Sequence, residues 1–292
     1  MSLIEYITFS LLTLAFLLLW LREYSCGLIR HTWLLVLSLA CVSAIYAGLL
    51  QFIGILMVIL AGLLAWMARN RSYSKPTRYL AGILFMVSAL MLGSHMMPGI
   101  HSILVFDQVI LSTNASPYSL YFNFDKTLVG LFILGLWYRR PKYILSWSAT
   151  GLELLRWLPL LFVPIILLAI LIGYIRFEPK RIDGLWMWMW ANLFFTCTAE
   201  EALFRGVIQH QLAQFLSARK NGQWLACGIA AVLFGLAHIG GGSLYVLIST
   251  VAGFGYGAIY ILTGRIEASI VTHFTLNLIH VLFFTYPALT TF

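Results

Sequence analysis

Charged side chains are scarce in this chain. Asp, Glu, Lys and Arg together make up 10% of the 292 residues, whereas 61% are hydrophobic and the mean hydropathy is +0.92. A soluble domain of this length needs a far larger polar share to cover its surface. The composition therefore excludes a water-soluble globular protein and predicts an integral membrane protein.

The excess of basic over acidic residues, a net charge of +8, has a membrane explanation. Most basic residues stand between long apolar runs, where they orient the spans and meet anionic lipid head groups. We therefore expect the lipid bilayer, and no nucleic acid, as the partner of these charges.

Cysteine is also rare, and its spacing excludes two classes of small stabilised domain. Cys26, Cys41, Cys197 and Cys227 are scattered through apolar stretches without any CxxC pair. This pattern predicts small buried hydrophobic residues, and neither a disulfide framework nor a zinc site.

Apolar runs long enough to cross a bilayer follow one another along the whole chain. We predict an all-α fold, a polytopic transmembrane helical bundle of eight to ten spans, with Tyr6 to Leu21 as an uncleaved first span. The fifth run is the weakest, because Asn123, Asp125 and Lys126 lie in its first half. The ten runs are 4–21, 32–50, 51–68, 79–97, 118–138, 157–175, 184–215, 223–239, 244–262 and 270–287.

Basic loops predict the orientation of these spans. Ten spans with the N-terminus outside bring nearly every basic loop to the cytoplasmic side; the exception is segment 176–183. The chain also divides by polarity, because residues 1–183 hold almost no charge within the predicted spans, whereas residues 184–287 hold a cluster.

Two carboxylates and a guanidinium occupy one predicted helix of this cluster. Charged side chains near the bilayer centre cost roughly 2.5–3.5 kcal/mol, so their presence requires a reason. Glu201 and Arg205 are four residues apart, share a helix face and are predicted to form an ion pair. Glu200 points about 100° away around the helix and has no such partner in the sequence, so we predict that its carboxylate has no basic partner.

Two further predicted helices carry histidines. Phe234 and His238 are four residues apart, and His273, Asn277 and His280 form a stripe at spacings of four and three. Lipid cannot satisfy the hydrogen bonds of such a stripe, so it is expected to face the protein interior. An isolated histidine in an apolar helix is more often a packing residue than a catalyst.

Glycines between these histidines predict close helix packing. Gly253 and Gly257 give a face of small residues four apart, which lets two helices approach closely. We interpret them as architecture that brings the polar helices together.

These residue types can hydrolyse a peptide bond. Glu200 can act as a general base for water, and His238 can hold the same water and pass its proton to the leaving amine. His273 and Asn277 are donors of the right type for the oxyanion. The HExxH, GxGD and GxSG patterns of other intramembrane proteases are absent, so neither a metal nor a covalent intermediate is required.

The motifs resemble those of a known family, the CAAX-protease and bacteriocin-processing (CPBP, or Abi) family of intramembrane proteases. The resemblance covers about residues 184–287 and implies a catalytic core over 184–292 with a membrane-embedded cavity, preceded by an N-terminal transmembrane bundle over 1–183. The three motifs are, in order, Glu200-Glu201-x-x-x-Arg205, Phe234-x-x-x-His238 and His273-x-x-x-Asn277.

The resemblance implies a role for each motif residue. Glu200 and His238 would activate water, and His273 and Asn277 would stabilise the oxyanion. The supporting residues would be Glu201, Arg205 and Phe234, with Phe234 shaping the wall of the pocket. No cofactor is expected; a metal held by Glu200, His238 and His273 is the minority alternative.

The resemblance leaves the substrate open. Members resemble prenyl-protein CAAX endopeptidases, pheromone or bacteriocin maturation and immunity proteins, or proteases that remove a C-terminal membrane-sorting tail. We expect a membrane-anchored protein or peptide as substrate and a bacterial inner membrane as the location. The alternatives are a proton-coupled membrane transporter, because buried Glu, His and Arg also form proton pathways, and a catalytically inert immunity or interaction protein.

Overall fold

The computed structural model describes residues 1–21, 30–139, 141 and 144–290. The prediction for Cys26 and the basic residues Arg22, Arg140 and Lys142 lie outside the described residues. The helices are α1 Leu3–Leu21, α2 Thr32–Tyr46, α3 Phe52–Arg69, α4 Lys75–Gly93, α5 Phe124–Phe132, α6 Trp147–Leu171, α7 Leu185–Trp190, α8 Thr198–Glu201, α9 His210–Phe215, α10 Gly222–Leu236, α11 Ser243–Thr263 and α12 Ile266–Phe283.

The predicted all-α polytopic bundle is confirmed. Six helices (α1, α3, α4, α6, α11 and α12) are long and apolar enough to cross a membrane, and α2 and α10 are shorter apolar helices. Large apolar side chains such as Leu35, Ile83 and Leu155 stand more than half exposed on these helices, as lipid-facing residues do. The chain is a multi-pass integral membrane protein.

The fifth predicted span begins later than expected. Strands β1 Ile103–Val109 and β2 Tyr118–Phe122 pair into a two-stranded sheet, so residues at the start of the run 118–138 are extended. Aromatic and branched side chains favour an extended backbone, and the helix starts only at Phe124. The prediction of a helix from residue 118 was wrong at this end.

The described residues form two compact units that interleave along the chain. The first unit comprises Met1–Val105, Leu120–Tyr138 and Phe194–Ala202, and the second comprises Phe106–Ser119, Arg139–Leu193 and Leu203–Phe292. The division at residues 183 and 184 that the motifs indicate remains a prediction.

In the first unit, α5 is the central helix. It contacts α1, α3, α4 and α8, while α1 packs on α2 and α3 packs on α4. The fully buried rings of Phe9, Phe122 and Phe195 meet with centroids 5.0 to 5.2 Å apart. This aromatic cluster joins α1, the end of β2 and the segment that precedes Glu200.

In the second unit, α11 is the central helix and packs against α6, α10 and α12. Its tight contact with α10 depends on Gly235. A Cβ added there would overlap the Oγ1 of Thr250 and lie 2.7 Å from the carbonyl oxygen of Val246. The expectation of glycine-mediated helix packing therefore holds, with α10 contributing a glycine as well.

We predict that Gly235→Ala destabilises the second unit. The added methyl group overpacks the contact of α10 with α11, which costs typically 1–3 kcal/mol. Gly228→Ala is the matched control on the same helix, because a Cβ at Gly228 meets nothing within 4 Å. Thermal unfolding in detergent should show a lower midpoint for Gly235→Ala alone. Equal midpoints for the two variants would contradict the packing described here.

Candidate active site

The helix that carries the two carboxylates changes its winding around them. Between Leu185 and Phe215 the chain stays helical, but the segments Ala191–Cys197 and Ala202–Gln209 are π-helical. The short α8, with Glu200 and Glu201, lies between them. π-Helical turns are rare and occur frequently at functional sites, and the regular helix predicted over 184–215 did not anticipate them.

Glu200 has a cationic neighbour that its own helix does not supply. The Nζ of Lys126, on α5, lies 3.9 Å from Oε1 of Glu200, and the two side chains are 24% and 17% exposed. The interpretation of Glu200 as a carboxylate without a basic partner was therefore wrong. Helical spacing reveals partners within one helix, whereas this partner comes from a distant part of the sequence.

Glu201 and Arg205 are both fully buried, at 0% exposure. Glu201 belongs to the first unit and Arg205 to the second. The ion pair between them remains a prediction.

Arg205 and Gln209 attach their helix to the backbone of α11. The Nη2 of Arg205 donates to the carbonyl oxygen of Gly253 at 2.9 Å, and Nε2 of Gln209 donates to that of Gly257 at 3.0 Å. Donors four residues apart thus meet acceptors four residues apart. Gln209 was missed by the sequence interpretation, and the only indication of its role was its position four residues after Arg205.

The glycine stripe makes this attachment possible. A Cβ at Gly257 would lie 2.6 Å from both Oε1 of Gln209 and Sγ of Cys227, and a Cβ at Gly253 would lie 3.0 Å from the Phe234 ring. Any side chain at these positions would push the helices apart. Gly253 and Gly257, which we predicted to bring helices together, therefore leave room for Arg205, Gln209 and Phe234.

Two of the predicted histidines lie against one phenylalanine. The ring centroid of Phe234 is 4.6 Å from that of His238 and 5.7 Å from that of His273. His273 is also stacked on Tyr256 at 4.5 Å, with the rings 16° from parallel, and His238 meets the edge of Tyr245 at 5.3 Å. Phe234 thus forms the wall shared by the two imidazoles, and Tyr256 and Tyr245 are neighbours that the motifs did not indicate.

The short distance between His238 and His273 disagrees with the positions that ten full spans predict for them. Ten full spans put His238 near the outer end of its span and His273 near the cytoplasmic start of its own, too far apart to share a wall. The helix α10 has 15 residues and extends about 22 Å, less than the roughly 30 Å of a hydrocarbon core. His238 lies two residues beyond the end of this helix.

The hydrogen bond of His238 fixes its tautomer. Its Nδ1 lies 2.7 Å from the carbonyl oxygen of Phe234, which can only accept. Nδ1 therefore carries the proton, and in the neutral ring the lone pair is on Nε2. His238 is half-buried, and its Nε2 has the electronic form that a proton acceptor needs.

The side chain of Asn277 is hydrogen-bonded to the side-chain amide of Asn192. Its Nδ2 donates to Oδ1 of Asn192 at 3.2 Å. An amide nitrogen carries two N–H donors, so the group is a hydrogen-bond donor of defined orientation. Asn192 precedes Glu200 by two helical turns and was not singled out from the sequence.

His280, the last residue of the polar stripe that begins at His273, is hydrogen-bonded within the protein. His280 donates from Nε2 to the carbonyl oxygen of Thr285 at 3.1 Å, and its ring meets Tyr286. Tyr286 in turn packs edge-on against Tyr118, at a centroid distance of 4.9 Å. Burial raises the pKa of Tyr118 to about 12, so this phenol stays protonated. The stripe faces protein groups, as expected.

The described residues lend no support to the alternative metal site. Among them no group of three or more His, Cys, Asp or Glu side chains could hold a metal ion. His238 and His273 instead contact aromatic rings.

Comparison with known proteins identifies the segment that carries the motifs. Residues 182–279, about a third of the chain, match the family model described as Rce1-like, type II CAAX prenyl endopeptidase. The match confirms that this segment resembles the CPBP family of intramembrane proteases. The match supports a CAAX-type intramembrane endopeptidase in general. No curated protein and no solved structure matches the chain.

We predict that Arg205→Met lowers stability more than a surface substitution does. The change removes a buried bond from a charged donor to the Gly253 carbonyl, and bonds of this kind contribute roughly 1.5–3 kcal/mol. Arg219→Met is the control, because Arg219 is exposed between α9 and α10. Thermal unfolding in detergent measures the stability of both variants. A midpoint for Arg205→Met no lower than that of Arg219→Met would contradict a stabilising role for the bond from Arg205 to Gly253.

Proposed function

We propose that the chain is an intramembrane endopeptidase that hydrolyses a peptide bond near the membrane end of a membrane-associated protein. Glu200 takes a proton from water, and the water oxygen attacks the scissile carbonyl carbon. His273 and Asn277 donate hydrogen bonds to the oxyanion that forms on the carbonyl oxygen. Nε2 of His238 accepts that proton from Glu200 and passes it to the leaving amine as the C–N bond breaks, so that both groups return to their starting protonation states.

The observation that carries this proposal is the meeting of His238 and His273 on the ring of Phe234. Two imidazoles from different parts of the chain, His238 just after α10 and His273 in α12, converge on aromatic side chains. The tautomer of His238 favours proton transfer through Nε2, and the bond from Asn277 to Asn192 supports an oriented amide donor. A packing role alone does not require this combination.

Glu201 and Arg205 serve this proposal as supporting residues. Arg205 lies over the rings of Phe234 and Tyr256, with its Cζ 5.2 and 5.8 Å from their centroids. Its hydrogen bond to Gly253 attaches its own part of the helix to α11. In this way the supporting guanidinium also stabilises the aromatic wall behind both imidazoles.

The substrate class follows from the family and the bilayer. A site among membrane-spanning helices meets substrates that are themselves anchored in lipid. CAAX-type prenylated proteins, pheromone or bacteriocin precursors, and proteins with a C-terminal sorting tail all meet this condition. We infer a bacterial inner membrane as the location.

We expect Glu200→Gln and His238→Ala to abolish cleavage while the protein still accumulates. Each change removes a proton-transfer group, a loss of about 100-fold or more in rate. Quantitative mass spectrometry of membrane-protein termini, in cells with the native or variant chain, measures the products. Glu153→Gln on α6 is the control and should leave the products unchanged.

The competing functions predict different results. A transporter would show pH-driven flux in proteoliposomes and no change in protein termini. An inert immunity or interaction protein would keep its cellular effect in the Glu200→Gln variant. Either result would contradict the endopeptidase.

A further inference from the structure

Helix α5 lies directly against the segment that carries Glu200. The two backbones lie close together at Gly130 and Ala199, because a Cβ at Gly130 would lie 3.2 Å from the Cα of Ala199. Lys126 precedes Gly130 by four residues and shares its helix face. The close approach of the two backbones therefore brings the Lys126 ammonium within 3.9 Å of the Glu200 carboxylate.

Asp125, the acidic residue next to Lys126, is hydrogen-bonded to other side chains. Asp125 is buried; its Oδ2 lies 2.7 Å from Nδ1 of His95, and its Oδ1 accepts from the hydroxyl of Ser102 at 3.3 Å. The backbone N–H of Lys126 also donates to Oδ1, at 2.8 Å. These bonds anchor the start of α5, and the side chain of Lys126 extends to Glu200.

The contact between Lys126 and Glu200 is electrostatic. A separation of 3.9 Å is longer than a hydrogen bond, so the ammonium does not hold a shared proton with the carboxylate. Both side chains are more than three-quarters shielded from solvent. At such a distance an opposite charge favours the ionised form of a carboxyl group.

We propose that Lys126 is a positioning residue of the active site. Its ammonium keeps the Glu200 carboxylate ionised and oriented, so that the carboxylate can accept a proton from water. This inference rests on the proposed function, in which Glu200 is the base. Lys126 lies outside residues 182–279, so the N-terminal part of the chain supplies a part of the catalytic apparatus.

The test compares Lys126→Met, which keeps the length of the side chain but removes its charge, with Lys126→Arg, which keeps the charge. The measurement is the initial rate at which cleaved termini appear in the membrane proteome of cells that make each variant. We expect Lys126→Met to be slower by about 10-fold or more and Lys126→Arg to keep at least half of the native rate. Lys75→Met, at the exposed start of α4, is the control and should match the native chain.

Accumulation in the membrane and thermal unfolding show whether each variant folds, and Lys126→Gln replaces Lys126→Met if that variant does not accumulate. A native rate in the charge-removing variant, with Glu200→Gln inactive, overturns the inference and leaves the proposed function intact. A folded Lys126→Arg as slow as Lys126→Met also overturns it, because charge would then not be the cause. Cleavage by Glu200→Gln at the native rate would overturn the proposed function itself.

Discussion

Hydrocarbon supplies no hydrogen bonds, so a polar side chain within a membrane span must find its partner in the protein. The second unit meets this constraint with backbone carbonyl groups. Arg205 and Gln209 donate to the carbonyl oxygens of Gly253 and Gly257, and His238 donates to that of Phe234. A carbonyl within a helix can accept a second donor only where that donor can reach it, and glycine opens the path. The polar cluster therefore depends on the small residues of α11.

The aromatic wall follows from the same arrangement. Gly253 leaves room for the ring of Phe234, and this ring contacts the imidazoles of both His238 and His273. Tyr256, on α11, stacks on His273 from a further side. The imidazoles thus have fixed positions although they come from separate parts of the chain. Fixed positions are what general acid-base chemistry and oxyanion stabilisation require.

Much of this organisation is local and could be predicted from the sequence. Long apolar runs predict the helices, and polar residues at helical spacing predict the motifs, because both depend on neighbours within one turn. The stripe that begins at His273 and the glycines at 253 and 257 are such cases. The partner of Glu200 is not, since Lys126 belongs to another helix and sequence distance carries no information about that contact.

Other features depend on competition that spacing does not show. The start of α5 at Phe124 depends on the pairing of β2 with β1, which overrides the apolar run. Helix α10 ends at Leu236, before His238, although the apolar run continues to residue 239. The π-helical turns on either side of α8 are not indicated by the apolar pattern. Single residues that end or rewind a helix are the part that a pattern of hydrophobicity predicts least well.

We propose that the Glu200 carboxylate and the His238 imidazole act on one water molecule. Cross-linking tests this proposal directly, in a chain whose four native cysteines are replaced and which carries Glu200→Cys together with His238→Cys. We expect a short bifunctional thiol reagent to link this pair, whereas chains that carry only one of the two cysteines should show no internal cross-link. Two cysteines that each react with a monofunctional reagent but do not link to each other would contradict it.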